Sequence, residues 1–169
     1  MDNLPWFERN LKFGYPKEML PYFLERLEGS IARIQTKVKG IDDKILSNRL
    51  NNKWSIKQNI GHLAEVDAIA NKRLDEMVKG ITPMSPAVFE PQDYNPWPIE
   101  KVLELFKTNR VKNLTKYKSI AESDLLKSSL HPRLKVEMTP IDLAWFDAEH
   151  DDHHFVTINR ILKELNASS

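Results

Sequence analysis

Residues 139–165 read TPIDLAWFDAEHDDHHFVTINRILKEL. Thr139 is placed to cap a helix, Pro140 to occupy its first position, and Asp142 to put an anion in its first turn. At ~100° per residue, with His150 set at zero, Leu143, Phe146, Phe155, Ile158, Ile161, Leu162 and Leu165 fall on one arc. The segment therefore predicts an amphipathic helix running to about Leu165. Asp147, His150, Asp151 and His154 lie inside the same arc. Left uncompensated, each ionisable group on a buried face costs several kcal/mol or gives up its charge. Asp152 and His153 point away from the stripe and read as solvated or rim residues.

Upstream of this helix the chain is punctuated by its 5 Gly and 10 Pro. Ser128–Met138 reads as irregular, and the alternation Leu134–Met138 is the only strand signal. Pro98 fits the first position of a helix whose apolar face is Ile99, Val102, Leu103, Phe106 and Leu114, fading near Ser119–Ser123. Residues 80–97, with prolines at 83, 86, 91 and 96, form a long connection. Ser55-Ile56-Lys57-Gln58 fits a capping box, and the helix it opens extends to about Lys79, where Gly80 stops it. From Lys17 to about Lys39, the residues Leu20, Phe23, Leu24, Leu27, Ile31, Ile34 and Val38 repeat at helical steps before Gly40. Residues 1–16 read as an extended leader closed by Gly14-Tyr15-Pro16.

Four long amphipathic helices predict an all-α fold, a four-helix bundle formed as a single domain over residues 1–169. A connection of about 18 residues at ~3.3 Å each can span ~59 Å, more than a 25-residue helix of ~37 Å. The third helix is thus free to run parallel to the second. The expected order is up-down-down-up, with simple alternation as the other arrangement.

Composition narrows the function. The chain has 169 residues, 25 Lys+Arg against 24 Asp+Glu, a net charge of +1 and no cysteine. Balanced charge predicts no nucleic-acid or membrane partner. Without cysteine there is no disulfide framework, Cys-ligated zinc or Cys nucleophile. The N-terminus lacks the apolar stretch of a signal peptide, and no apolar run nears the ~20 residues of a membrane span. A cytoplasmic location is the expectation.

Two histidines at i and i+4 can reach one metal ion from successive turns, and carboxylates nearby can accept their second ring N–H. The plainer reading is a pair of core histidines tied to aspartates. A third imidazole, His62, sits at the edge of the apolar arc of the second helix, with Gln58 and Glu65 near it. Alone it reads as a core histidine; with His150 and His154 it completes a three-histidine set that leaves coordination positions open. His131 reads as a loop residue with the option of lying over the site.

Trp54-Ser55, Gly61-His62-Leu63, and Glu149-His150-Asp151-Asp152-His153-His154 together resemble the DinB/YfiT-like superfamily of metal-dependent enzymes. Phe13-Gly14-Tyr15-Pro16 and Leu130-His131-Pro132-Arg133-Leu134 resemble one DinB branch. The resemblance implies a four-helix bundle holding a divalent metal, commonly nickel or zinc, on His62, His150 and His154. It also implies hydrolysis or transfer of a low-molecular-weight thiol. The segment Val88–Asn95 has no histidine to add a fourth ligand.

Three functions follow from these residues. The favoured one is a metal-dependent hydrolase or thiol S-transferase acting on a small molecule. Its ligands would be His62, His150 and His154, with Asp147 or Asp151 orienting histidines and Glu65 accepting a proton. The second is a metal-binding structural or sensor module without turnover, and the third a metal-free helical interaction domain. Trp6 and Phe7 in the leader are candidates for packing against a second copy in a homodimer.

Overall fold

The computed structural model describes residues 4–90 and 92–167. Residues 1–3 of the leader lie outside them. Capping chemistry places the long helices. Ser55 Oγ accepts from the Gln58 amide at 3.1 Å, and the Gln58 side chain accepts from the Ser55 amide at 3.0 Å. The 23-residue helix Ile56–Val78 opens at this box. It ends before Gly80, whose φ of +70° suits glycine. Thr139 Oγ1 accepts from the Asp142 amide at 3.3 Å and Asp142 Oδ2 accepts from the Thr139 amide at 3.2 Å. This second reciprocal box opens the 28-residue helix Pro140–Ala167. The first long helix spans Leu20–Val38, because Lys17–Met19 forms a 3-10 turn rather than α-helix. The remaining one spans Ile99–Ser119, with Pro98 as its N-cap rather than its first residue. Pro98 has ψ 142°, outside the helical range, while its carbonyl already accepts from Lys101 and Val102.

Short elements complete the chain. Counted in order, the helices are α1 (Leu20–Val38), α2 (Asp43–Leu46), α3 (Ile56–Val78), α4 (Ile99–Ser119) and α5 (Pro140–Ala167). Two two-residue strands, β1 (Ser129–Leu130) and β2 (Glu137–Met138), pair antiparallel with Ser129 opposite Met138. The leader is not wholly extended, since Trp6–Glu8 forms a 3-10 turn. Asp142 Oδ1 ties its end to α5 by accepting from the amides of Gly14 and Tyr15 at 2.8 and 3.0 Å.

Side-chain pairings give the directions of the four long helices. Along α1 and α5, Arg26 meets Glu149, Arg33 meets Asp152 and Lys37 meets Asn159, so the two run parallel. Along α3 and α4, Ala64, Asp67, Asn71 and Asp75 meet Asn109, Arg110, Asn113 and Lys116 in the same order, so these are parallel too. Asn59 of α3 reaches His154 of α5, whereas Leu63 and Ile60 share one core with Phe155 and Leu74 another with Ile141. Those two helices are antiparallel, and the bundle is up-down-down-up.

The interior consists of two apolar clusters. One gathers Phe23, Leu27, Leu74, Met77, Leu114 and Ile141. The other gathers Ile34, Ile60, Leu63, Phe106, Phe155 and Ile158. Between them lies a buried polar layer made by Ser30, Asp67, Arg110 and Asp151. Arg110 Nε donates to both oxygens of Asp67 at 2.9 and 3.0 Å. Its Nη1 and Nη2 donate to Asp151 at 2.6 and 2.9 Å, and Nη1 also to the Leu27 carbonyl. One guanidinium thereby joins α1, α3 and α5 to α4. No described helix is long and apolar enough to cross a membrane.

Candidate metal centre

The capping box at Ser55 starts α3 so that His62 arrives two turns later facing α5. There, antiparallel packing brings it opposite His150 and His154. One ring nitrogen from each of the three lies within 4.8 Å of the others. The ring centroids are 5.3 Å apart for His62–His150, 5.1 Å for His62–His154 and 4.5 Å for His150–His154. His154 is buried, and His62 and His150 keep partial exposure.

The tautomer of His154 follows from its neighbour. Asn59 Nδ2 donates to the Ser55 carbonyl at 2.8 Å, which leaves Asn59 Oδ1 as an acceptor 2.7 Å from His154 Nδ1. The ring proton therefore sits on Nδ1, and Nε2 presents a lone pair. That Nε2 is 3.2 Å from His150 Nε2. Two imidazoles bound to one ion at ~2.0–2.1 Å have nitrogens roughly 3.3 Å apart in tetrahedral geometry. Burial, with the neighbouring imidazoles, pushes His150 and His154 well below the ordinary histidine range. Both rings are thus neutral near pH 7, the state that ligation requires. His150 Nδ1, on the far side of its ring, is buried without a hydrogen-bond partner among the described residues. Neutral rings at His150 and His154, a lone pair forced inward and facing nitrogens at 3.2 Å fit a cation held among the three imidazoles.

Around this centre the other expected residues fall in different places. Glu65 lies behind His62, with Oε2 3.6 Å from His62 Nδ1 and Oε1 accepting from the Tyr94 hydroxyl at 2.7 Å. Asp151 does not turn toward a histidine, contrary to the orienting role expected for it. Its carboxylate is taken by Arg110 and by the Ser30 hydroxyl, because the side chain leaves α5 toward α1 and α4. Burial raises Asp67, pushing it up to about 7 despite the adjacent guanidinium. Arg110 itself is held charged by Asp151 and Asp67 against its burial. Asp147 is buried with Oδ2 unpartnered, and burial pushes its pKa well up. Gln58 uses its amide oxygen for the cap rather than for His62. Asp152 pairs with Arg26 and Arg33 on the outer face. His153 packs on Trp6, with ring centroids 5.8 Å apart.

Asn59 and Phe89, which sequence reasoning did not single out, and Trp54, quoted there only as part of the helix-start motif, complete the surroundings. Asn59, one turn before His62, sets the His154 tautomer. Trp54 packs 4.8 Å from His62 and stacks at 6.2 Å on His154. Phe89, from the long connection, approaches His62 at 4.7 Å. Only the capping position next to Trp54 and the i−3 spacing of Asn59 from His62 carried any signal. Trp6 packs on Phe146 and His150 at 5.0 Å each, so the leader closes over the centre and Trp6 is engaged within the chain. A cavity of about 550 Å³ opens beside His62 and His150, walled largely by Trp6, Trp54, Val66, Ile69, Phe89 and Phe146.

Among solved structures, the chain is similar to YfiT from Bacillus subtilis, described as a probable metal-dependent hydrolase with an unusual four-helix bundle topology. The TM-score is 0.80 at 16% identity, covering 94% of each chain. It is also similar to the mycothiol-dependent maleylpyruvate isomerase, with TM-score 0.65 and 12% identity over 81% of this chain and 59% of the isomerase. At these identities the likeness speaks for the fold. No curated protein matches the sequence. A sequence model of the DinB superfamily matches residues 26–158, a span containing all three histidines and most of the bundle. This chain belongs to the DinB superfamily.

Proposed function

We propose that the protein is a metal-dependent enzyme, a hydrolase or low-molecular-weight-thiol S-transferase, that acts on a small molecule in the cavity beside His62 and His150. His62, His150 and His154 would hold one divalent ion, nickel or zinc, since imidazole suits both. The carrying observation is the meeting of three ring nitrogens within 4.8 Å from two helices. When bound, such an ion supplies Lewis acidity that brings the pKa of a water or thiol toward neutrality.

The chain's own residues divide the remaining work. Asn59 holds the His154 proton on Nδ1. Trp54, Phe89 and Trp6 crowd the histidines and limit water around them. Glu65, partly exposed and bordering a cleft shared with His62, would accept a proton; its carboxylate 3.6 Å from His62 Nδ1 supports that role. The similar folds of a probable metal-dependent hydrolase and a mycothiol-dependent isomerase support metal- or thiol-dependent chemistry without choosing between hydrolysis and transfer.

The test is elemental analysis of protein purified without a histidine tag, together with zinc and nickel titration. One ion per chain is expected, and loss of that ion in His150→Ala with the circular dichroism spectrum retained. Absence of stoichiometric binding, or undiminished affinity in His150→Ala, overturns the reading. Dependence of turnover on added thiol then separates transfer from hydrolysis.

A further inference from the structure

At its end beyond the histidines, the same cavity is lined by Arg73, His131 and Arg133 together with Asp147. These residues come from α3, the loop between the two strands, and α5. None of them belongs to the three-histidine set.

Arg73 is 6% exposed, an unusual degree of burial for a guanidinium. Its one hydrogen bond among the described residues runs from Nε to the Ser85 carbonyl at 3.2 Å. Ser85 is fixed in turn by Glu76, which accepts from its amide at 2.7 Å and from its hydroxyl. The clamp holds one edge of the guanidinium, and Nη1 and Nη2 have no hydrogen-bond partner among the described residues. His131 is 4% exposed. Its Nδ1 accepts from the amides of Arg133 and Leu134 at 3.3 and 3.1 Å, so the ring proton must sit on Nε2. Nε2 has no hydrogen-bond partner among the described residues, yet it is not fully enclosed, and the ring lines the cavity. Arg133 stands at the mouth, with its guanidinium 3.4 Å over the Phe7 ring.

The set therefore offers N–H donors from two arginines and a fixed imidazole. Burial, with Arg73 and Arg133 nearby, lowers His131 to about 4, so it donates as a neutral ring. Asp147 also lines this end, with its Oδ2 enclosed; burial raises its pKa well above the ordinary carboxylate range, while Asp147 and Glu76 together hold Arg73 charged against its own burial. A buried fork of guanidinium donors matches a planar carboxylate, taken bidentately.

We propose that this end of the cavity is a carboxylate subsite, in which Arg73 and His131 bind the acid group of a small organic acid whose reacting end faces His62 and His150. The spacing suits a short ligand. Asp147, which lines the same end of the cavity as Arg73, is three residues, ~4.5 Å of helix axis, from His150. Apolar walls at Val66, Ile69 and Phe146 then accommodate the ligand body. The inference rests on the histidine end being the reactive end.

The test is calorimetric titration of the full chain with 3-phenylpropionate and its uncharged isostere 3-phenylpropionamide. The acid should bind about tenfold or more tightly than the amide, since charge-assisted hydrogen bonds are the stronger ones. Arg73→Gln and His131→Asn should each reduce that preference, acid affinity falling by more than amide affinity because the charge-assisted bonds are the ones lost. Asn at position 131 keeps an acceptor for the two loop amides and removes only the Nε2 donor. His150→Ala should retain the preference, so a failed metal reading and a failed subsite give different results. Equal binding of acid and amide, or no saturation by the acid at millimolar concentration, overturns the proposal. So does a preference that survives Arg73→Gln but vanishes in His150→Ala, because the acid would then sit on the histidines. If Arg73→Gln does not fold, the His131 Nε2–H resonance of the wild type must shift with acid and not with amide. Repeating the pair as glutathione and its diethyl ester distinguishes a thiol cosubstrate from a thiol-free acid as the source of the carboxylate.

Discussion

Asn59→Leu separates a metal-tuning role for Asn59 from a merely structural one. In the wild type its Oδ1, 2.7 Å from His154 Nδ1, leaves Nε2 bare and pointed at His150. Leucine keeps the volume but frees the imidazole to place its proton on Nε2, where the proposed cation would bind. Removing such an outer partner costs 10–100-fold in metal affinity, or ~1.4–2.7 kcal/mol. The structural cost is separable. The Ser55 carbonyl also accepts from the Asn59 backbone amide at 3.0 Å and stays bonded, so only His154 Nδ1 is orphaned. That costs ~1–3 kcal/mol of folding stability. A zinc competition titration against a chromophoric chelator, run beside a thermal melt, reads both effects. Asn59→Asp, which keeps the acceptor, should bind zinc at least as tightly as the wild type. If Asn59→Leu melts earlier but holds zinc within about threefold of the wild type, far less than loss of an outer partner costs, the tautomer argument is refuted.

Three further outcomes follow from the packing. Arg110→Met leaves Asp67 and Asp151 buried without a counter-charge. It should lower stability by ~3–5 kcal/mol, a melting-temperature drop of ~6–20 °C, and adding Asp67→Leu and Asp151→Leu should recover most of the loss. Asp67, raised by burial from 3.8 to about 7, carries stability that is fully present below pH 4 and lost as pH rises through 7. Urea titrations of wild type and Asp67→Asn should therefore diverge across that window, by on the order of 2–4 kcal/mol, the wild type being relatively favoured at the acid end. In Gly61→Ala, the added Cβ would come within 2.2 Å of the Tyr94 ring. Melting should fall by the equivalent of ~1–3 kcal/mol, and Tyr94 should release Glu65, an ultraviolet shift of the tyrosine reporting the break.

The four long helices were legible because each carries a local signal that no distant contact needs to supply. Ser55–Gln58 and Thr139–Asp142 mark their starts, Gly80 marks a stop, and the apolar residues repeat at helical steps. What escaped reading depends on distance. The four-residue α2 is too short for any period, and it is held by Lys57, fully buried, which bonds Asp43 and the carbonyls of Asn95 and Trp97. The inward polar stripe of α5 was visible, but its division was not. His150 and His154 turn to α3, while Asp151 turns to α1 and α4 to meet Arg110. A helical wheel shows that a residue faces the interior and is silent on which neighbour it meets there. Asn59 and Arg73 were missed for the same reason, since their importance comes from His154 and from an unfilled cavity rather than from anything beside them in the chain.

That division also explains why a charged layer crosses the middle of the bundle. Apolar side chains alone would leave four parallel and antiparallel helices free to settle in several registers, because Leu and Ile contacts vary little with a sliding turn. Arg110 accepts only one arrangement, with Asp67, Asp151 and the Leu27 carbonyl all within 3.0 Å of its nitrogens. A layer of this kind adds little net stability compared with an apolar replacement, so its physical consequence is positional. Asp151 is the residue next to His150, and Asp67 lies five residues beyond His62 on α3. Locking those two carboxylates to one guanidinium fixes the axial offset of α5 against α3 within a fraction of a turn. For the three imidazoles to share the proposed ion they must converge closely, and this layer would set the helix offset from inside the bundle.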